Sequence, residues 1–297
     1  MHSNCFNLRP LLKKTLLCLA IALTTLPTVA SEQTFGIIGD AGRATANAKS
    51  VRESLARAGV LELILPGDNL YSGTYQSVWQ SWRNLNFQFP VVAIGNHNDG
   101  YPSEMSYFGM PAEYYSKVID GVHFLVLNSD NNQSGRTQAA WLDGQLENAT
   151  ENLIFLVYHH PSYKISSVHT WTEKKEFQLA IRPIIWKHRH KLTALIVGHD
   201  HLASVLHFND LPVILSGAVQ EVRSDRGVDY ADGSVRVKTA WYFDSAPYWA
   251  KLVSQPELGQ ARVDFIRAAD DRLGCSVLLK TGMPAEMGRS CVGASDF

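Results

Sequence analysis

The sequence predicts an α/β fold, and two observations predict it. Five short apolar runs, rich in β-branched residues, each end abruptly at Gly, Pro or His next to an Asp, an Asn or a second His. Such runs are the pattern of strands buried on both faces. Longer stretches with helical spacing lie between several of them, and strands alternating with helices make an α/β sheet.

In chain order, residues 35–38 run into Gly39-Asp40, and residues 61–65 run into Pro66-Gly67-Asp68. Residues 91–94 run into Gly95-Asn96-His97. Residues 153–158 run into His159-His160-Pro161, and residues 195–197 into Gly198-His199-Asp200-His201. The expected helices cover residues 44–58, 137–148 and 171–188, the last with a kink or break at Pro183. Beyond Ala218 the pattern weakens, and residues 261–266 and 276–279 are expected to close the chain as a hairpin. No repeat, low-complexity tract or linker interrupts residues 35–218.

The first 30 residues are expected to stand outside the fold. Arg9, Lys13 and Lys14 precede the apolar run 15–26, and Pro27-Thr28-Val29-Ala30 closes it with small residues. That is the layout of a secretory signal peptide cleaved after Ala30, and the apolar run is short for a membrane span. Removing 30 of 297 residues leaves 267, expected to form one catalytic domain over 31–297 with no membrane segment. The chain holds 27 Lys and Arg against 28 Asp and Glu, three of the basic residues lying in the leader, so the remainder carries 24 against 28. A mildly acidic surface gives no footing to nucleic-acid binding. Cys5 and Cys18 leave with the leader, and the two that remain, Cys275 and Cys291, are expected to form one disulfide after export. The expected location is therefore secreted or periplasmic.

Each predicted strand delivers a metal-type side chain at its carboxyl end, where α/β sheets bind ligands. The set Asp40, Asp68, Tyr71, Asn96, His159, His199 and His201 contains oxygen and imidazole donors and no thiolate, which suits Fe, Mn or Zn. Each residue alone has a plain structural role to hand, an Asp as a helix cap or a His as a satisfied polar group. Seven such roles would not produce an ordered series of blocks.

Those blocks resemble the calcineurin-like metallophosphoesterases, and within them the small, tartrate-resistant acid phosphatase-like purple acid phosphatases. The family pattern D-x-G, G-D-x-x-Y, G-N-H-[D/E], V-x-x-H and G-H-x-H is matched in order. The matches are Asp40-Ala41-Gly42, Gly67-Asp68-Asn69-Leu70-Tyr71, Gly95-Asn96-His97-Asn98, Leu156-Val157-Tyr158-His159 and Gly198-His199-Asp200-His201. Two details point to the purple branch. Gly42 stands where the wider superfamily has a metal-binding His, and Tyr71 supplies a donor three residues after Asp68.

The resemblance implies a four-layer α-β-β-α sandwich and two metal ions, Fe(III) with Fe, Zn or Mn(II). It implies Asp40, Asp68, Tyr71 and His201 on the first ion and Asp68, Asn96, His159 and His199 on the second. It places His97 toward the phosphate, and His169 as a second substrate-pocket histidine. The implied reaction is hydrolysis of a small phosphate monoester by a metal-bound hydroxide, as an acid phosphatase, with His97 and His169 binding phosphate oxygens and protonating the leaving group. A phosphodiesterase or nucleotide hydrolase would use the same site, and a non-catalytic metal-dependent binding protein is a third reading. The chain departs from the pattern at Asn98, usually Asp or Glu, with Asp99 one step on, and at Leu156. His160 is an alternative to His159 as ligand, and the spacing to Pro161 favours His159. His123, His188, His190 and His207 are read as structural or surface residues. Gln138, Trp141 and Leu142 are read as helix packing, and Trp171, Trp186, Trp241 and Trp249 as core or pocket rim.

Overall fold

A computed structural model describes residues 32–223, 229–243 and 245–291. The proposed leader lies outside the described residues. The elements begin with β1 (Gln33–Ile37), α1 (Ala46–Arg57), β2 (Glu62–Leu65), α2 (Tyr75–Arg83), β3 (Gln88–Val92) and α3 (Tyr101–Phe108). They continue with β4 (Tyr115–Ile119), β5 (Val122–Val126), α4 (Gly135–Asn148), β6 (Leu153–Val157), α5 (Lys175–His188) and β7 (Ala194–Val197). The remainder is strand: β8 (Ala203–Phe208), β9 (Leu211–Ser216), β10 (Tyr230–Asp232), β11 (Val235–Phe243), β12 (Tyr248–Gln255), β13 (Gln260–Arg267), β14 (Arg272–Lys280) and β15 (Glu286–Met287).

Two sheets stack face to face. One has the order β15-β14-β13-β12-β1-β2-β3, the other β10-β11-β8-β9-β7-β6-β5-β4. The neighbours β1-β2, β2-β3, β5-β6, β6-β7 and β7-β9 are parallel, and the outer strands pair antiparallel. Phe35 of the first sheet meets Phe124 of the second edge to face, 5.4 Å between centroids, within the apolar layer that joins the sheets. A second apolar layer sets α1 and α2 on the outer face of the first sheet, through Val51, Leu55, Val78 and Trp79. A third sets α4 and α5 on the second, through Leu142, Leu146, Phe177 and Ile181. Burying one such side chain stabilises by roughly 1.5–3 kcal/mol. The architecture is the α-β-β-α sandwich that the blocks implied. Among the described residues no helix is long and apolar enough to cross a membrane.

Local chemistry sets the element ends. The Thr45 hydroxyl accepts from the Ala48 N–H at 3.1 Å and starts α1. Thr74 and Ser77 exchange side-chain and backbone hydrogen bonds at the start of α2. Helix α5 runs without a break through Pro183, and the turn before it, Trp171–Lys174, is a 3₁₀ helix. The expected closing hairpin is present as β13 and β14.

Cys275 and Cys291 form the expected disulfide, 16 residues apart in sequence, and β15 lies between them. Cys291→Ser is expected to lower unfolding stability by about 3 kcal/mol, the loop-entropy value for a link of this length. Denaturant unfolding of the oxidised protein checks it. A midpoint equal to that of the unsubstituted protein would show that the tail contributes nothing.

Candidate metal centre

The carboxyl ends of the parallel strands from both sheets converge on one cleft. Asp40 follows β1, Asp68 and Tyr71 follow β2, and Asn96 follows β3. His159 follows β6, and His199 and His201 follow β7. All four oxygen donors thus come from one sheet and all three imidazoles from the other.

The chain turns sharply to present these groups. Asp40, Asp68, His199 and His201 have φ of 54°, 57°, 78° and 48°, the left-handed region that costs a non-glycine residue of order 1–3 kcal/mol. Glycine clears the space around them. A Cβ at Gly95 would fall 2.2 Å from Asp68 Oδ1, and one at Gly67 would fall 2.6 Å from His159 Nδ1. These close approaches explain the glycines inside the motif blocks.

The donor atoms form a dense cluster. The Tyr71 hydroxyl lies 2.7 Å from Asp68 Oδ2, 3.2 Å from Asp40 Oδ1 and 3.0 Å from His201 Nε2. His159 Nε2 lies 3.0 Å from Asp68 Oδ1 and 3.2 Å from Asn96 Oδ1. Asp68 therefore touches both halves of the cluster, one oxygen on each side. Asp40 also accepts the His199 backbone N–H, at 3.0 Å to Oδ2. Asp40, Asp68, His159 and His201 are almost fully buried, whereas Asn96 and His97 are exposed at the mouth.

Electrostatics in the cluster are severe. Burial, then the charges of Asp40 and Asp68, push the Tyr71 hydroxyl far above its ordinary pKa. Burial works to raise Asp68, but the His159 charge and hydrogen bonds from His159, the His97 N–H and Tyr71 outweigh it and hold the carboxyl well below the usual range. Burial opposes the charge on His159, and the Asp68 carboxylate reverses this and pushes it up to about 9.

This arrangement fits cations. Two donors at right angles on one ion, with bonds near 2.1 Å, stand about 3.0 Å apart, which is the spacing within the cluster. A phenol pressed between two carboxylates becomes a good ligand only beside a positive charge. The His159 Nδ1 donates to the Pro66 carbonyl oxygen at 2.9 Å, so Nε2, toward Asp68 and Asn96, is the nitrogen that an ion would take in place of a proton. His160, by contrast, has Nδ1 on the Ser129 hydroxyl at 2.9 Å, and its buried Nε2 has no partner. It sits beside both neighbours, its ring 4.8 Å from that of His159 and 4.5 Å from that of His199.

His97 stacks on Tyr71 at 4.2 Å and faces the open side. Its backbone N–H, not its ring, binds Asp68 Oδ1 at 2.9 Å. His169 lies against His199, 4.0 Å between ring centroids, but both its nitrogens face protein side chains. Nδ1 is 3.2 Å from Glu173 Oε1 and Nε2 is 2.8 Å from Arg223 Nη1. Asn98 donates to the Gly95 carbonyl at 2.8 Å and lies 3.4 Å from Asp130 Oδ2, so it fastens the turn that carries Asn96.

Two residues at the site belong to no motif. Glu173 Oε2 lies 3.0 Å from His199 Nε2, and the hydrogen bond from His199 holds its carboxyl down to about 2. Burial lowers His199 to about 4. Glu104 is buried beneath Asp68, where Asn69 Nδ2 donates to it at 2.6 Å and to the Ala93 carbonyl at 2.9 Å. Burial raises the Glu104 carboxyl to about 7. A buried acid four residues into an otherwise ordinary helix leaves no signature in the sequence. The sequence trace of Glu173 is its place in a Thr170-x-x-Glu173 capping box, a helix-start pattern that says nothing of a metal site.

Three of the remaining histidines have local partners. His188 Nε2 meets Asp143 at 2.6 Å, His123 lies between Ser116 and Glu151, and His207 accepts the Ala285 N–H at 3.1 Å. Gln138 exchanges hydrogen bonds with the Asn128 backbone and Leu142 is fully buried. Trp249 is buried with its N–H on Ser54, Trp241 lies between the sheets, Trp186 donates to Tyr163, and Trp171 lies under Arg182.

Residues 33–203 match the family model described as calcineurin-like phosphoesterase. Probable purple acid phosphatase 20 of Arabidopsis thaliana is 27% identical over 194 residues, which is 56% of this chain and 45% of that protein. Tartrate-resistant acid phosphatase type 5 of Sus scrofa is 28% identical over 221 residues, 59% of this chain and 63% of that protein. The chain thus spans about half the length of the curated relatives it matches. Among solved structures, purple acid phosphatase PPD1 from yellow lupin seeds has a TM-score of 0.64 at 14% identity, over 83% of this chain and 53% of that one. GAP50, titled the anchor in the inner membrane complex of Plasmodium, has a TM-score of 0.65 at 15% identity, over 85% and 90%. These likenesses to solved structures concern the fold.

Proposed function

The chain belongs to the calcineurin-like phosphoesterase family, and we propose on that footing that it hydrolyses small phosphate monoesters with two metal ions, as an acid phosphatase. The observation that carries this reading is the contact of one tyrosine hydroxyl with Asp40, Asp68 and His201. A phenolate between two carboxylates is a hard, anionic donor set and favours a trivalent ion. The first position, with Asp40, Asp68, Tyr71 and His201, takes Fe(III). The second, with Asp68, Asn96, His159 and His199, takes Fe, Zn or Mn(II). Two such ions supply Lewis acidity to a phosphoryl group and acidify water, the trivalent ion more strongly, which suits work below neutral pH.

The protein's own groups do the rest. Asp68, with one oxygen toward each half of the cluster, would hold its negative charge against both ions. His97, exposed above Tyr71, binds a phosphate oxygen and supplies the proton that the leaving alkoxide needs. The buried floor under Asp40 and His159 keeps bulk water away from the reacting side. Export by the N-terminal 30 residues, to the periplasm or the medium, is part of the same proposal.

The test is metal analysis with a visible spectrum of the purified protein. Two ions per chain including iron, with a broad visible band that vanishes in Tyr71→Phe, are expected. Two ions without iron or colour would move Tyr71 out of the ligand set and point to a Zn or Mn enzyme. Hydrolysis of a monoester and a diester, compared under one condition, separates phosphatase from diesterase. A fold shared with a Plasmodium protein titled an anchor makes turnover itself the deciding readout. Fully metallated protein with no turnover would favour a binding scaffold.

A further inference from the structure

Glu173 reaches the metal centre from outside the motif blocks, and its two oxygens have different surroundings. Oε1 accepts the Thr170 backbone N–H at 3.1 Å and faces His169 Nδ1 at 3.2 Å. Oε2 is directed at His199 Nε2, 3.0 Å away. The Thr170–Glu173 capping box anchors the residue in its 3₁₀ turn, so the carboxylate is held in place independently of His199.

The direction of donation along this chain of contacts follows from chemistry. A guanidinium only donates, so Arg223 Nη1 donates to His169 Nε2, which must carry a lone pair. His169 then has its proton on Nδ1 and donates it to Glu173 Oε1. A carboxylate only accepts, so His199 donates its Nε2–H to Glu173 Oε2. A neutral His199 with its proton on Nε2 keeps its lone pair on Nδ1.

We infer that Glu173 is a positioning residue for the second metal ion: it fixes the tautomer and ring orientation of His199 so that Nδ1 is the ligating nitrogen. This rests on the dinuclear reading given above. His159 is held in the mirror arrangement, Nδ1 on the Pro66 carbonyl and Nε2 toward Asp68 and Asn96. A metal-ligating imidazole characteristically gives its other N–H to such an acceptor, and a carboxylate acceptor raises the basicity of the ligand. Here one histidine of the second position has a carbonyl partner and the other a carboxylate. His169 and Arg223 act through the same chain, because both nitrogens of His169 are committed to it. On this inference His169 supports Glu173, beside the substrate-pocket role expected from the sequence.

The experiment is a competitive titration of the metal-free full chain with Zn(II) against a chromophoric chelator, which resolves two successive binding constants. Glu173→Leu is expected to weaken one constant 10–100-fold, the range for losing such a partner, and to leave the other within threefold. Glu173→Gln, whose amide oxygen still accepts from His199, is expected to recover most of the loss. Thr170→Ala removes the cap but keeps the carboxylate, and is expected to leave both constants close to those of the unsubstituted protein. An unchanged or tighter constant in Glu173→Leu overturns the inference, since the carboxylate would then be idle or in competition with the ion. So does a Thr170→Ala protein that reproduces the whole loss, which would make Glu173 a turn cap only. An unsubstituted protein that takes fewer than two ions sinks the dinuclear reading and this inference together. One that takes two, with Glu173→Leu unchanged, sinks this inference alone.

Discussion

Asp68→Asn is expected to remove both metal ions and to lower monoester hydrolysis by more than about 10³-fold, the scale of losing several kcal/mol of transition-state charge stabilisation. Asp68 touches a donor atom in each half of the cluster, the Tyr71 hydroxyl on Oδ2 and His159 Nε2 on Oδ1. Its Oδ1 also accepts the His97 backbone N–H at 2.9 Å. An amide carries one oxygen, so Asn must present an NH₂ group either to Tyr71 or to the His97 N–H. In the second orientation two donors face each other in a site with no room to separate, because Gly95 packs against the same oxygen. Asn also removes the negative charge that offsets two cations. Metal content by elemental analysis and hydrolysis of a chromogenic monoester, on the same preparation, check the prediction. Retention of two ions per chain would show that Asp68 does not bridge them.

His97→Ala is expected to behave in the opposite way: kcat falls by roughly 10²–10⁴-fold, the usual contribution of a positioned acid, while both ions stay. The structural reason is the division of labour within this residue. Its backbone N–H holds Asp68, and that bond survives truncation at Cβ. Its ring stacks on Tyr71 and faces the mouth of the cleft. Steady-state kinetics with elemental analysis separate the outcomes. Loss of metal in His97→Ala would make the ring a ligand or a structural brace, and an unchanged kcat would leave the proton of the leaving group to another donor.

Much of this was legible in the sequence, and for a physical reason. A side chain that must reach an ion from the end of a buried parallel strand needs a sharp turn. That turn puts Gly, Asp, Asn and His together directly after an apolar run. Asp40, Asp68, Asn96, His159 and His199 were all found by that junction. Tyr71 was found through the donor that Gly42 lacks. What escaped has the opposite character. Glu173 and Glu104 act across space from helices, at positions no strand end marks. Helices α2 and α3 are short and aromatic, and Trp79, Trp82 and Phe108 pack on each other or on neighbouring rings, so their composition reads equally well as strand. Strand β8 is buried at nearly every position and shows no alternation, and β11 alternates only over its first half. The antiparallel margins of both sheets were therefore invisible as strands until their partners were known, the closing hairpin excepted.

The split of donors between the sheets has a consequence for how the protein fails. Neither sheet alone presents the mixed oxygen and imidazole set proposed for either ion: one presents only oxygens and the other only ring nitrogens. Ions held by both sets would rivet the seam, and their hold would depend on the lateral alignment of two layers that meet at Phe35 and Phe124. Metal occupancy then serves as a vernier for that alignment. Slippage too small to register as unfolding would then cost an ion at the cleft before the fold itself gives way.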